Sequence, residues 1–273
     1  VSEYGEDPPD AIARFVSVEP MGQPSLDALG PTDVVIAVES AQVGWVDLLM
    51  TSGQYQHMPQ PPYTPGLEYA GVVVDKGREV GGDLAIGDRV LIDGFLAGPR
   101  SLGNYRSWGG FASFAVAPRE AVIPVPAGLS LDQACCLLGN YETAHHCLLA
   151  RGALRAGETV LIHGAAGATG LAAVEIAKLV GATVIATGRS DEKLAIVRER
   201  GADHMINVRS ESGVRSFREE VKALTGGRGV DVVYDGVGGE ISLESLRCVR
   251  FGARFLIVGW ASTPLVAKGR GGR

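Results

Sequence analysis

The stretch from Thr159 to Arg189, TVLIHGAAGATGLAAVEIAKLVGATVIATGR, constrains the fold of this chain more than any other. Thr159 to His163 is a short β-branched, apolar run of the kind that forms a buried parallel strand, and Gly164, Gly167 and Gly170 then break the pattern. Leu171, Val174, Ala177 and Lys178 follow at helical spacing, Gly181 ends the helix, and Ala182 to Thr187 reads as a second strand. Strand, glycine turn, helix and strand in this order predict one unit of a doubly wound parallel sheet.

The turn reads Ala165-Ala166-Gly167-Ala168-Thr169-Gly170, a dinucleotide-binding pattern with alanine in place of the first glycine. Gly167 lets backbone approach a pyrophosphate, Gly170 lets the helix pack closely, and the helix N-terminus offers free N–H groups and partial positive charge. A site for NAD would place Asp or Glu about 20 residues after the turn, to hold the ribose 2′-hydroxyl. This chain has Gly188-Arg189-Ser190 there, with Lys193 a turn later. A guanidinium forms paired, charge-assisted bonds to a 2′-phosphate that a carboxylate would repel, so the expected cofactor is NADPH. The alternative leaves Arg189 and Lys193 as solvated surface charges.

At 273 residues the chain exceeds what one core usually serves, so two domains are expected. Its formal net charge of -6 gives no general attraction to nucleic acid or to an anionic membrane. No apolar run is long enough for a transmembrane helix and no signal pattern opens the sequence, so a cytoplasmic location is the default expectation. The four cysteines, Cys135, Cys136, Cys147 and Cys248, form no CxxC or Cys/His metal spacing and read as reduced, mostly buried thiols.

Residues 1–130 are punctuated by Pro and Gly between short β-type runs: Ala11 to Val18, Asp33 to Glu39, Gly71 to Val74, Arg89 to Ile92, Ala112 to Ala117 and Ala121 to Pro124. This predicts a β-rich first domain. A single helix is expected from Asp132 to Arg151, and residues 131–262 then alternate strands with helices. His204 to Val208, Gly229 to Asp235 and Arg254 to Gly259 supply the third to fifth strands; Ser190 caps one helix, and Phe217, Val221 and Leu224 give the next its apolar stripe. The fold class is therefore α/β, a β-rich domain followed by a Rossmann sheet, with residues 263–273 as a Gly/Arg-rich tail.

Gly66-Leu67-Glu68-Tyr69-Ala70-Gly71, with Gly77 and Val80 downstream, resembles the signature of the medium-chain dehydrogenase/reductase superfamily. Ile86-Gly87-Asp88-Arg89-Val90, Thr143-Ala144, His163 to Gly167, Tyr234 to Gly239 and Val258-Gly259 extend the likeness to its zinc-free quinone oxidoreductase, zeta-crystallin-like branch. Zinc-dependent members carry a Cys and a His where this chain has Gly44 and Leu67, and neither can bind a metal. The resemblance implies a GroES-like domain, a Rossmann domain, and hydride transfer from NADPH in a cleft between them. It also implies a homodimer and a return segment to the first domain, and the sequence therefore reads as an incomplete polypeptide.

Within that resemblance Thr143, Gly236, Val237, Gly238 and Gly259 are expected along the cofactor, and Gly44, Trp45, Tyr55 and Tyr63 around a small-molecule substrate. Gly44 stands where many zinc-free relatives carry Asn, and Trp45 is a candidate to fill the space. Tyr55 occupies the position of a tyrosine proposed as proton donor in related enoyl reductases, with water as the alternative source. Asp47 and Glu68 read as structural carboxylates, and the adjacent His145 and His146 as packing or surface residues. A short-chain reductase, which the Gly164–Gly170 turn superficially suits, is a weaker third reading because no tyrosine has lysine four residues on. The activity expected is reduction of a quinone or of the C=C bond of an α,β-unsaturated carbonyl compound; a non-catalytic NADPH-binding structural or sensor protein is the alternative.

Overall fold

A computed structural model describes residues 1–25, 29–101, 104–211 and 213–262. The tail expected at residues 263–273 lies outside the described residues. The chain divides into two compact units, Val1–Gly139 and Asn140–Arg273.

The first unit opens with α1 (Pro8–Phe15), followed by β1 (Asp33–Ala41), α2 (Trp45–Thr51), β2 (Tyr69–Lys76), β3 (Arg89–Ile92), β4 (Phe114–Pro118), β5 (Val122–Pro124) and α3 (Leu131–Ala134). The run Ala11 to Val18, expected as β, is helical over most of its length. Asp7 caps α1 by accepting the Asp10 N–H, and proline occupies its first turn, a helix-start signal that outweighs the Val/Ile content. The five strands form an antiparallel sheet in the order β4-β1-β2-β3-β5. Val34, Ile36, Tyr69, Val73, Val90 and Ile92 bury one continuous core against it. Ala134 and Cys135, at the end of α3, pack on Ala70 and Leu91.

Helix α4 (Leu138–His145) begins in the last residues of the first unit and runs into a π-helical turn at His146–Arg151; the second unit then continues with β6 (Thr159–Ile162), α5 (Ala168–Val180), β7 (Thr183–Gly188), α6 (Asp191–Glu199) and β8 (His204–Asn207). A small hairpin of β9 (Arg209–Ser210) and β10 (Gly213–Val214) precedes α7 (Arg218–Leu224), β11 (Val230–Asp235), α8 (Glu240–Ser245) and β12 (Val249–Ile257). Five strands form a parallel sheet in the order β12-β11-β6-β7-β8, the doubly wound arrangement that the Thr159–Arg189 pattern predicts. Ala172, Ala173, Val174 and Ala177 bury α5 on Val160, Ile162, Val184 and Ala186, and their small volumes let helix and sheet approach closely.

The single helix expected from Asp132 to Arg151 is interrupted between α3 and α4. The Glu68 carboxylate, far away in sequence, accepts the Gly139 N–H at 2.5 Å, and a Cβ on Gly139 would lie 2.4 Å from Glu68 Oε1. Leu224 is 42% exposed rather than part of the stripe that buries Phe217 and Val221. Gly71 faces the backbone of β1 so closely that a Cβ there would lie 2.0 Å from the Ala37 carbonyl oxygen. Gly71→Ala is therefore expected to destabilise the protein by at least about 2 kcal/mol in urea unfolding. Gly82→Ala, with nothing within 4 Å of the added methyl, is expected to stay within about 0.5 kcal/mol of the parent.

Candidate functional site

In the second unit the predicted turn and loop residues follow the C-terminal ends of β6, β7, β11 and β12, whereas Thr143 lies on α4 and Lys193 on α6. β6 ends at Ile162; the turn holds buried Ala165, half-buried Ala166 and exposed Gly167, and the first turn of α5 holds exposed Ala168, half-buried Thr169 and buried Gly170. A Cβ on Gly170 would sit 2.4 Å from the Gly164 carbonyl oxygen and 2.7 Å from Ala165 Cα. Gly170 thus lets the helix close on the turn itself. Gly167 is the N-cap and supplies no side chain, so the N–H groups of the first turn of this 13-residue helix have no intrahelical acceptor. They and the helix dipole favour an anion there.

Other segments converge on this turn. Ala165 N–H donates to the Thr187 carbonyl at the end of β7. A Cβ on Gly164 would lie 3.4 Å from Val237, and one on Gly259 would lie 3.4 Å from the Gly236 carbonyl oxygen. Gly188, Gly236 and Gly259 therefore line the ends of β7, β11 and β12 around the turn. At Gly236 an added Cβ would meet nothing within 4 Å, so no internal contact requires glycine there, and the open space suits an approaching ligand. This cradle of uncapped N–H groups and unfilled space fits a dinucleotide.

Asp235 shapes the loop after β11. Its buried carboxylate accepts the N–H groups of Val237 at 2.8 Å and Gly238 at 3.0 Å, and also the Ser242 hydroxyl. After β7, Arg189 and Lys193 are exposed, and neither is in an ion pair among the described residues. The Ser190 hydroxyl accepts the Lys193 N–H and so caps α6, as expected. Asp191, the acidic neighbour of Arg189 in sequence, accepts a bond from Asn207 Nδ2. Thr143 lies half-buried on α4, one residue before buried Ala144.

Beneath the turn lies a polar layer that the sequence reading missed. His163 is 2% exposed; its Nδ1 lies 2.8 Å from Thr187 Oγ1 and its Nε2 lies 2.6 Å from Ser245 Oγ. Ser245 gives its proton to the Ile241 carbonyl, so Nε2 carries the imidazole hydrogen and Nδ1 accepts from Thr187. Phe217 packs against the ring at 5.5 Å between centroids. A histidine ending a buried strand was the available signal; its partners lie 24 and 82 residues away. Burial pushes the imidazole down to about 4, although the Asp235 carboxylate pulls the other way.

In the first unit, Gly44 begins α2 and its N–H donates to Asp47 Oδ2 at 3.0 Å. Asp47 Oδ1 accepts the N–H groups of Gly66 and Leu67 at 3.1 and 3.0 Å, tying α2 to the segment before β2. Burial raises the Asp47 carboxyl pKa, with these N–H groups opposing the rise. A Cβ on Gly44 would be 3.3 Å from Asp47 Oδ2 and 3.6 Å from Gln42 Nε2. Trp45 does not fill that space: its side chain turns to the surface, leaving the residue 68% exposed. Glu68 accepts Gln42 Nε2 at 2.7 Å, so both carboxylates hold backbone and amide groups together.

Tyr55 follows α2, half-buried, with its ring edge-on to His57 at 6.5 Å between centroids. Tyr63 is 5% exposed and is packed within the first unit. Its hydroxyl has no hydrogen-bond partner among the described residues, and burial holds its pKa far above the ordinary phenol value. His145 and His146 are exposed, and His146 accepts a bond from Arg151.

A doubly wound parallel sheet with an uncapped helix N-terminus and a glycine-lined edge defines a Rossmann unit of the kind that binds nicotinamide dinucleotides, here accompanied by a GroES-like unit. Residues 30–127 match the alcohol dehydrogenase GroES-like domain and residues 168–270 the zinc-binding dehydrogenase family. The chain is 37% identical to a quinone oxidoreductase-like protein 2 homolog of Nematostella vectensis, over 91% of this chain and 66% of that protein. Among solved structures, a quinone oxidoreductase of Pseudomonas syringae pv. Tomato is similar with a TM-score of 0.74 and 30% identity, over 98% of this chain and 77% of that one. A mycobacterial protein solved with NADPH is similar with a TM-score of 0.78 and 29% identity, over the same two shares.

The chain belongs to the medium-chain dehydrogenase/reductase superfamily, in its zinc-free quinone oxidoreductase branch. It spans 62–66% of the length of curated relatives that it matches. No helix among the described residues is long and apolar enough to cross a membrane.

The buried imidazole makes stability depend on pH. Between its ordinary value of 6.5 and about 4, the unfolded chain takes up a proton that the folded protein refuses. Stability contributed by neutral His163 is therefore complete above pH 6.5 and lost as pH falls, by about 1.4 kcal/mol per unit and on the order of 3 kcal/mol by pH 4. Urea unfolding of the parent and of His163→Gln across this range checks it: the variant is expected to lose that slope.

Proposed function

We propose that the protein is an NADPH-dependent, zinc-independent oxidoreductase that reduces a quinone or the C=C bond of an α,β-unsaturated carbonyl compound. The observation that carries this reading is the sheet edge itself, where the uncapped N-terminus of α5, after β6, lies between the open space at Gly236, after β11, and a β7 end furnished with Arg189 and Lys193 and no acid at position 189. Bound NADPH supplies the hydride. The first-turn N–H groups of α5 hold the pyrophosphate, while Arg189 and Lys193 hold the 2′-phosphate. Thr143, Val237, Gly238 and Gly259 bound the space for the nicotinamide half.

Reduction of a polarised double bond also needs a proton at the α-carbon and hydrogen bonds to the developing enolate. Tyr55 is the residue assigned to give that proton. A phenol O–H is a general acid that can donate to an enolate as it develops. Gly44 and Trp45 border the substrate, with Gly44 leaving room where relatives carry an amide. Tyr63, also expected around the substrate, is not assigned the proton, since its burial disfavours loss of its proton.

Two variants test this assignment. Arg189→Ala is expected to weaken NADPH binding by roughly tenfold to a hundredfold, the effect of losing charged hydrogen bonds, with NADH binding unchanged. Equal loss for both cofactors would remove the 2′-phosphate role. Tyr55→Phe is expected to lower kcat about a hundredfold with enal, enone or quinone substrates while leaving the NADPH Kd unchanged. An unaltered kcat assigns the proton to water; NADPH binding without oxidation by any of these acceptors favours a sensor or structural protein.

A further inference from the structure

The reductase assignment uses no cysteine, yet two of the four stand side by side at the end of α3. Cys135 is the helical C-cap, 4% exposed among Ala70, Leu91 and Ala134. Its Sγ donates to the Asp132 carbonyl at 3.3 Å and lies 3.3 Å from Ser40 Oγ. Cys136 is exposed to solvent. The two sulfurs are 3.8 Å apart.

This geometry selects among the things two thiols can do. A disulfide needs sulfurs about 2 Å apart and Cα atoms roughly 4.4–6.8 Å apart. Consecutive Cα atoms are held near 3.8 Å by the trans peptide, so closing the pair directly would distort the end of α3. A larger thiophilic atom bridges the sulfurs without that closure. Zinc would require further protein ligands, and the described residues contain no group of three or more His, Cys, Asp or Glu able to hold a metal ion. Trivalent arsenic that carries an organic substituent needs two sulfurs alone.

We propose that Cys135 and Cys136 form a vicinal dithiol site that captures trivalent organoarsenicals. The exposed Cys136 thiol adds first, and Cys135 then closes the ring by turning from Ser40 and the Asp132 carbonyl. Two arsenic–sulfur bonds form as the arsenic–oxygen bonds of the arsenoxide break; both thiol protons leave with that oxygen as one water. Arsenic keeps its oxidation state and no electrons are exchanged. Burial and the neighbouring Cys135 push the Cys136 thiol up to about 11. The final equilibrium is indifferent to this, because no net proton is released, whereas the rate rises with pH as thiolate forms.

The full chain, treated with one equivalent of phenylarsine oxide, is the test. Intact mass is expected to show one bridging phenylarsenic per chain, and the thiols titrated after denaturation are expected to fall from four to two. The adduct should survive excess 2-mercaptoethanol and be removed by 2,3-dimercaptopropanol. Cys136→Ser, a surface change, should abolish the stable adduct while Cys147→Ser and Cys248→Ser retain it. Four free thiols in the treated parent, a stable adduct on Cys136→Ser, or removal by the monothiol would each overturn the proposal.

Discussion

The nucleotide-facing edge depends on one steric condition: no side chain stands at position 170 between α5 and the turn that precedes it. With a hydrogen there, the first turn of α5 closes on Gly164 and Ala165. Its unpaired N–H groups are thereby fixed at the end of β6, the middle strand of the sheet. Helix dipole, glycine spaces and neighbouring strand ends then act at one place. The apolar, small-residue face of α5 against Val160, Ile162, Val184 and Ala186 keeps that placement rigid.

A second layer of interactions supports the first from below. Thr187, His163 and Ser245 link the ends of β7 and β6 to α8, while Asp235 gathers Val237, Gly238 and Ser242 into the loop beside the turn. Buried polar groups of this kind fix geometry because any displacement leaves a donor or acceptor unmet. In the first unit Asp47 and Glu68 act in the same way: each carboxylate collects N–H groups from segments distant in sequence. Glu68 belongs to the Gly66–Gly71 motif, and its visible work is to hold the Gln42 amide and the Gly139 backbone.

The sequence made the Rossmann unit legible because its signals are local. Alternation between β-branched runs and helical spacing, punctuated by Gly167, Gly170 and Gly181, is written within Thr159–Arg189, and Ser190 announces the next helix. What escaped the reading depends on partners remote in the chain. The first turn of α4 is held at Gly139 by Glu68, and the His163 layer closes through Ser245. Helix α1 is a different case, since its Asp7-Pro8 start is a local signal that lies ahead of the β-type run Ala11 to Val18.

Hydrogen–deuterium exchange of the full chain with and without saturating NADPH tests most directly whether this edge holds the cofactor. The structure leads us to expect protection concentrated in Gly164–Leu171, in the 188–193 segment after β7 and in the 236–239 loop after β11. Binding with protection confined to other segments, or no binding of NADPH, would contradict the account.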